Sequence, residues 1–209
     1  MYIATHSNFD ILDYDYQEDI SYYNIDYLRF GLNFIMPISI VVIISIISID
    51  HILNGKRFDL LFCTKITPKG LLIIKYKVYI LLSVIYMSII WCMLVITGLL
   101  RLNYFYLNQS LIQLLIMLNF IGILVVVMSL LAIRITKIGY SSIIVFIVYY
   151  VSRIISDINM YIGNLIFLNV DLNNKIAPLG LLPSFGIVVL YSCVLIFVFG
   201  KKELKLKNN

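Results

Sequence analysis

Charge is scarce in this 209-residue sequence: 16 basic and 11 acidic side chains make up only 13% of it. With 62% hydrophobic residues and a mean hydropathy of +0.99, the chain has too few polar groups to cover a water-facing surface, which excludes an ordinary soluble domain. Histidine is scarcer still. His6 and His51 are too few and too far apart for a zinc site, and no H-E-x-x-H occurs. Cys63, Cys92 and Cys193 are scattered, with no C-x-x-C spacing, so neither a disulfide framework nor a redox or metal motif is indicated. The expectation is that they pack within the apolar runs. The phosphate-cradling pattern G-x-x-x-x-G-K-[ST] is missing, so this chain does not bind ATP by that device. No carboxylate pair falls within an apolar run, which argues against an intramembrane protease, a metal enzyme or a carboxylate proton pump. The sequence therefore predicts no enzyme activity, no cofactor and no nucleic-acid partner, and the net charge of +5 reads as membrane topology.

What is present are long uncharged runs. Residues 30–49 form the first, with Pro37 inside it, which a transmembrane helix tolerates when neighbouring groups satisfy the freed carbonyl. Residues 78–100 form the second; residues 71–76 extend its helix, with Lys75 and Lys77 snorkelling toward the headgroups. The stretch "NYFYLNQS", residues 103–110, reads as an interfacial turn before a third span at 111–133. A fourth, 138–156, carries Arg153 near its end, four residues before Asp157 and on the same helix face. Residues 182–200 form the fifth, entered past Pro178, Gly180, Pro183 and Gly186 and closed by the basic tail "KKELKLKNN". Between them residues 158–170 are uncharged but, as helix, would reach only about 20 Å, short of the roughly 30 Å hydrocarbon core. That segment is expected to be re-entrant or to lie at the surface. The fold expected is all-α: a polytopic integral membrane helix bundle of about five transmembrane helices, one domain over 1–209.

Orientation follows from the cations. Lys56, Arg57, Lys65, Lys69, Lys75 and Lys77 follow the first span, Arg134 and Lys137 the third, and Lys201, Lys202, Lys205 and Lys207 the fifth. These mark the cytoplasmic side. Arg29, Arg101, Arg153 and Lys175 fall on the other side, with Asp10, Asp13, Asp15, Glu18, Asp19 and Asp26. Segment 1–27 is thus expected outside the cell membrane as an acidic region, 50–70 inside, 157–181 outside as a loop, and 201–209 inside as a cytoplasmic tail. Segment 1–27 has no apolar signal region, so either it crosses with the first span or a preceding span would normally deliver it.

Neutral polar residues do occur within the spans: Asn33, Ser45, Ser48, Ser83, Ser88, Thr97, Asn119 and Ser129. Most are expected to be helix-packing contacts. Asn119 lies near mid-span, where an amide needs a partner, and is a candidate for the substrate path or a helix interface.

The longest polar interruption is "DHILNGKRFDLLFCTKITPKGLLIIKYK", residues 50–77. Gly55 interrupts helix continuation, and Phe58, Leu61, Phe62 and Ile66 share one face of a short helix opposite Asp59 and Cys63. Thr67 followed by Pro68 is the pattern of an N-cap and a first helical proline, so a new helix should start there. The whole reads as a cytoplasmic amphipathic helix followed by a sharp corner. An amphipathic linker resting on the headgroups would satisfy the same pattern.

An acidic residue ending a span, then N-G, a short hydrophobic helix, T-x-x-T-P and a basic residue in the next span resembles the permeases of ABC-2 type transporters. Asp50, Gly55, Leu60, Leu61, Thr64, Thr67, Pro68 and Lys75 or Lys77 carry the resemblance, over about 28 residues; Lys56 and Lys69 depart from the family's usual pattern. The resemblance implies the membrane subunit of an ATP-driven exporter, working as a homodimer or as a heterodimer with a related permease, beside a separate ABC ATPase subunit. It implies that Asp50, Gly55, Lys56, Arg57, Phe58, Leu61, Phe62, Lys65, Thr67 and Pro68 form the ATPase-coupling element. Phe58, Leu61 and Phe62 would fill a groove on the ATPase while Lys56, Arg57 and Lys65 orient the contact. It also implies six spans, the first of which is missing ahead of residue 1, through a mis-set start, a truncation or a genuine five-span variant. The competing reading is a non-transporting membrane protein, such as an immunity or assembly factor, whose 50–70 segment only rests on lipid.

Overall fold

In the computed structural model the described residues are 32–52, 68–101, 109–136, 138–159, 162–163, 166–168 and 181–207, and all regular structure among them is helical. Helix α1 is Leu32–Ile52, α2 is Pro68–Arg101 and α3 is Gln109–Thr136. A 3-10 turn, Gly139–Ser142, leads into α4, Ile143–Ile158, and α5 is Leu181–Lys207. Among the described residues four stretches are long and apolar enough to cross a bilayer: Leu32–Ile52, Ile73–Leu100, Leu111–Thr136 and Gly139–Ser156; a shorter apolar stretch, Pro183–Phe197, lies within α5. By length and composition this is the expected polytopic helical bundle.

Cross-helix contacts fix the directions. Asp50 on α1 meets Lys75 on α2, Gly122 on α3 faces Ser83 on α2, and the Trp91 indole near the other end of α2 donates to the Leu111 carbonyl at 2.8 Å. Ser48 on α1 meets Ser142, while Asn33 meets Arg153 on α4. Successive helices therefore run antiparallel. Asp50, Lys75 and Ser142 share one end of the bundle, called the base here, and Asn33, Trp91 and Arg153 share the far end.

The bundle is organised around α3. Leu114, Leu118, Ile121, Leu124, Val125, Val126 and Val127 are all fully buried, as expected of a helix that is apolar all round and surrounded by others. Its neighbours are one-sided. On α4, Val145, Tyr149 and Ser152 are buried at helical spacing, whereas Ile143, Ile147, Val151 and Ile154 are exposed. On α2 the exposed side carries Leu81, Ile85, Ile89, Met93 and Ile96. An apolar exterior of this extent is incompatible with water and suits a hydrocarbon surround. Cys92 and Cys193 lie on that exterior, so they do not pack into the core as the sequence suggested.

Apart from Tyr79 and Tyr149, the buried side chains with a polar group among the described residues are serines: Ser39, Ser48, Ser83, Ser129, Ser141, Ser142, Ser152 and Ser184. Small hydroxyls let helices approach closely and can be satisfied by their own backbone. Ser39 donates to the Ile35 carbonyl at 2.6 Å and Ser152 to that of Tyr149 at 2.7 Å. α2 and α3 approach closely at Gly122, where an added Cβ would stand 2.5 Å from Ser83 Oγ and 3.0 Å from Met87 Cγ.

Boundaries are largely those expected. Helix α1 runs on through Pro37, and α2 begins at Pro68. Gln109 and Ser110 already belong to α3, not to the interfacial turn assigned from "NYFYLNQS". Beyond α4 the chain folds back. Asn159, with φ of −146° and ψ of 103°, ends the helix. The amide of Gly163 then donates to Asn159 and that of Phe167 to Gly163. A Cβ on Gly163 would fall 2.6 Å from the Ser156 amide nitrogen and 2.7 Å from the Ser152 carbonyl, so only glycine permits this close return. Phe167 and Leu168 are fully buried. The Phe167 ring stacks edge-on against Tyr149 at 5.5 Å, ten residues or about 15 Å back along α4. Tyr191 on α5 donates to the Ile166 carbonyl at 3.2 Å. The described part of 158–170 thus packs back on α4 and α5 and does not continue α4.

Candidate functional site

The coupling element falls mostly outside the described residues: Gly55, Lys56, Arg57, Phe58, Leu61, Phe62, Lys65 and Thr67 all lie within 53–67. What is described is its foot, the last turn of α1 and the first turns of α2. Pro68 opens α2, where its missing amide hydrogen has no intrahelical acceptor to lose.

Asp50 sits in the last turn of α1, two residues before Ile52. Lys75 Nζ donates to its Oδ2 at 2.5 Å, and the Tyr79 hydroxyl donates to the same oxygen. Lys75 and Tyr79 are four apart on α2 and so present a cation and a hydroxyl from one face. The Lys75 and Asp50 side chains are 18% and 27% exposed, enough shielding for the pair to exceed a fully solvated one, while still reachable by water. Lys75 is thus turned inward to a carboxylate, not outward to the headgroups as its sequence position suggested.

The same end of α1 is held from a second side. Ser48 and Ser142 hydroxyls are hydrogen-bonded, and Gly139 packs so closely on the helix end that a Cβ there would be 2.9 Å from Ile52 Cγ1. A third tie joins α2 to α5, with the Tyr76 hydroxyl 2.9 Å from Ser192 Oγ. Both helices that flank 53–67 are therefore clamped to each other and to the rest of the base. The arrangement is mechanical: it fixes positions, and among the described residues no group of three or more His, Cys, Asp or Glu side chains could hold a metal ion.

Asn119 behaves differently from the expectation of a cross-helix contact. Its Nδ2 donates to the Leu115 carbonyl of its own helix at 2.9 Å, and its buried Oδ1 has no partner. Ser83 Oγ and Ser129 Oγ are likewise buried without one. At the far end, Arg153 reaches Asn33 and, at 3.4 Å, the Tyr149 hydroxyl; the side chain of Asp157, its expected partner, lies outside the described residues.

Tyr79, Ser142 and Gly139 are site residues that sequence reasoning missed. Tyr79 had a readable signal, its i, i+4 spacing from Lys75. Ser142 and Gly139 had none, because nothing local says which helix they meet.

No protein-family model, no curated protein and no solved structure matches this chain.

Proposed function

We propose that this chain is the membrane subunit of an ABC-2 type ATP-driven exporter of the cell membrane, with the base of the bundle cytoplasmic. The N-terminal segment lies outside and the C-terminal tail inside, as the distribution of Lys and Arg favours. A separate ABC ATPase supplies hydrolysis, and the permease works as a dimer of like or related chains. Segment 53–67 docks on the ATPase through Phe58, Leu61 and Phe62, with Lys56, Arg57 and Lys65 steering the encounter.

The observation that carries this reading is the clamp of Asp50 with Lys75 and Tyr79. A linker that merely rests on lipid has no use for rigid footings. A segment that is pushed needs both of its flanking helices to move together, and a charge-assisted contact between them does that. The sequence pattern from Asp50 to Pro68 supports the same conclusion.

Co-purification tests it. Phe58→Asp combined with Phe62→Asp is expected to abolish capture of the ATPase encoded beside the gene while membrane insertion is retained. Unchanged capture sinks the docking assignment, and absence of any such ATPase favours the immunity or assembly reading.

A further inference from the structure

At the far end of the bundle a cation is held by neutral groups. The Arg153 guanidinium donates to Asn33 Oδ1 across the contact of α1 with α4 and, at 3.4 Å, to the hydroxyl of Tyr149. No carboxylate reaches it among the described residues; the pair of Asp50 with Lys75 lies at the base. A guanidinium carries five N–H donors, and these two bonds use two of them, leaving three. The side chain is partly buried, so water screens it only in part, and a cation so placed favours an anionic partner.

Depth and surroundings narrow what that partner is. Asn33 is the second residue of the stretch Leu32–Ile52, and Arg153 stands three residues before the end of Gly139–Ser156. That level is the boundary between hydrocarbon and headgroups. Toward the base, α1 and α4 stay adjacent as far as the bond of Ser48 with Ser142. Phe34 and Val41 continue the row of Ser48 at seven-residue spacing and are 61% and 43% exposed. Opposite them, Phe146 and Tyr150 lie in the row that joins Ser142 to Arg153, their rings stacked edge-on at 4.9 Å, and Tyr150 is exposed too. An apolar seam open to the surroundings thus runs from the cation toward the base for about eleven residues, or roughly 16 Å, half the hydrocarbon core.

We propose that Arg153 is the headgroup site of a phospholipid in the far-side leaflet: its remaining N–H groups bind the phosphodiester, and one acyl chain lies along the seam between α1 and α4. A planar guanidinium fixed from behind suits two phosphate oxygens at once. A dissolved phosphate offers the same oxyanion, but at this depth lipid phosphate is far more concentrated, and only the lipid gains the apolar contact of the seam. The site takes the lipid whether or not the chain is an exporter.

The full-length chain in detergent micelles, carrying Phe34→Trp in a Trp91→Phe background so that its one indole reports on the seam, tests this. The probes are phosphatidylcholine brominated on its acyl chains and diacylglycerol with the same chains. Quenching by the phosphatidylcholine is expected to saturate at a mole fraction at least five-fold below that needed for the diacylglycerol. Arg153→Gln erases the difference, Arg153→Lys keeps part of it, and Lys77→Gln, an exposed cation near the base, leaves it whole. If Arg153→Gln loses its helical circular dichroism, the comparison of the two probes on the parent decides alone. Equal quenching by the two probes, or a difference that survives Arg153→Gln, overturns the site. Relief of quenching by excess inorganic phosphate gives it to a dissolved anion and overturns the lipid. Saturable quenching that appears only after Asp19→Asn with Asp26→Asn gives Arg153 to the chain's own acidic segment, with the same consequence.

Discussion

The contact of Gly122 with Ser83 permits a test in which two effects of opposite sign compete. Replacing a mid-helix glycine by alanine normally favours the helix by about 1 kcal/mol, because alanine loses less backbone entropy. Here the new Cβ would stand 2.5 Å from Ser83 Oγ and 3.0 Å from Met87 Cγ. Met87 can yield through its flexible side chain; the serine hydroxyl, buried between the two helices, has little room to turn. Overpacking of this kind costs about 1–3 kcal/mol, so Gly122→Ala should be net destabilising by roughly 1 kcal/mol despite its gain in propensity.

Ser83→Ala deletes the obstacle. Because Ser83 Oγ is buried with no hydrogen-bond partner, its loss forfeits no bond, and the single change should be neutral or slightly stabilising. The double variant should then be at least as stable as the parent, giving a favourable coupling of about 1–2 kcal/mol. The assay is built in: the chain has one tryptophan, and Trp91 lies on this same helix pair, bonded to Leu111. Its fluorescence during denaturing-detergent titration in mixed micelles reports separation of α2 from α3. A Gly122→Ala variant as stable as the parent, or strictly additive effects of the two changes, would refute the close approach.

Three further outcomes follow from the contacts described. Asp50→Asn or Lys75→Gln alone should lower stability by on the order of 1–3 kcal/mol, since each removes a partly shielded, charge-assisted contact between α1 and α2, while the exchange Asp50→Lys with Lys75→Asp should regain about half in the same titration. Gly163→Ala should undock the fold-back, because its Cβ meets backbone atoms of Ser152 and Ser156 that cannot turn away; a cysteine placed at Phe167 should then react with a membrane-permeant maleimide several-fold faster than in the parent background. Asn119→Leu should keep or raise stability, since its only hydrogen bond stays within α3, so any loss of export in that variant would mark a role toward substrate.

Much of the fold was legible because charge-free length is a direct signal of a span. The start of α2 at Pro68 was readable from Thr67-Pro68, and the fold-back was readable as a run too short to cross. What was hidden is azimuth. In a soluble helix the polar face identifies its opposite as core; here α2 and α3 have little polar face at mid-depth, and on α4 the polar Ser152 is buried while Ile143, Ile147 and Ile154 are exposed, the reverse of the soluble rule, so the sequence does not reveal that α3 is central while α2 and α4 face outward. Cys92 and Cys193 were misplaced for that reason. Lys75 was misplaced for another: snorkelling is the default for an isolated helix, and the carboxylate of Asp50, 25 residues earlier, offers a closer partner only once α1 and α2 are paired. At the base of the bundle, the pattern pointed to Asp50 at the end of a span and to Pro68 at the start of a helix, which is where they lie, whereas the contacts of Tyr79, Gly139 and Ser142 depend on packing between elements distant in sequence.

The distribution of polar contacts bears on how such a bundle could move. At the base, α1 is tied to α2 by Asp50, Lys75 and Tyr79 and to the turn before α4 by Ser48 and Ser142, and α2 is tied to α5 by Tyr76 and Ser192. These bonds join α1, α2, the turn before α4 and α5; α3 is bonded to α2 at the far end, where Trp91 donates to the Leu111 carbonyl, and its contacts at mid-depth are mostly apolar side chains and the glycine at 122. Directional bonds resist separation, whereas apolar contacts between smooth helix faces have little angular preference and allow small sliding. A displacement entering at 53–67 would therefore pass to α1, α2, α4 and α5 together and tilt them against α3 about the far end, where Trp91 holds Leu111. On the exporter reading α3 is the fixed axis and Gly122 a close bearing, so widening that contact should weaken coupling between hydrolysis and export even where the clamp at Asp50 is intact.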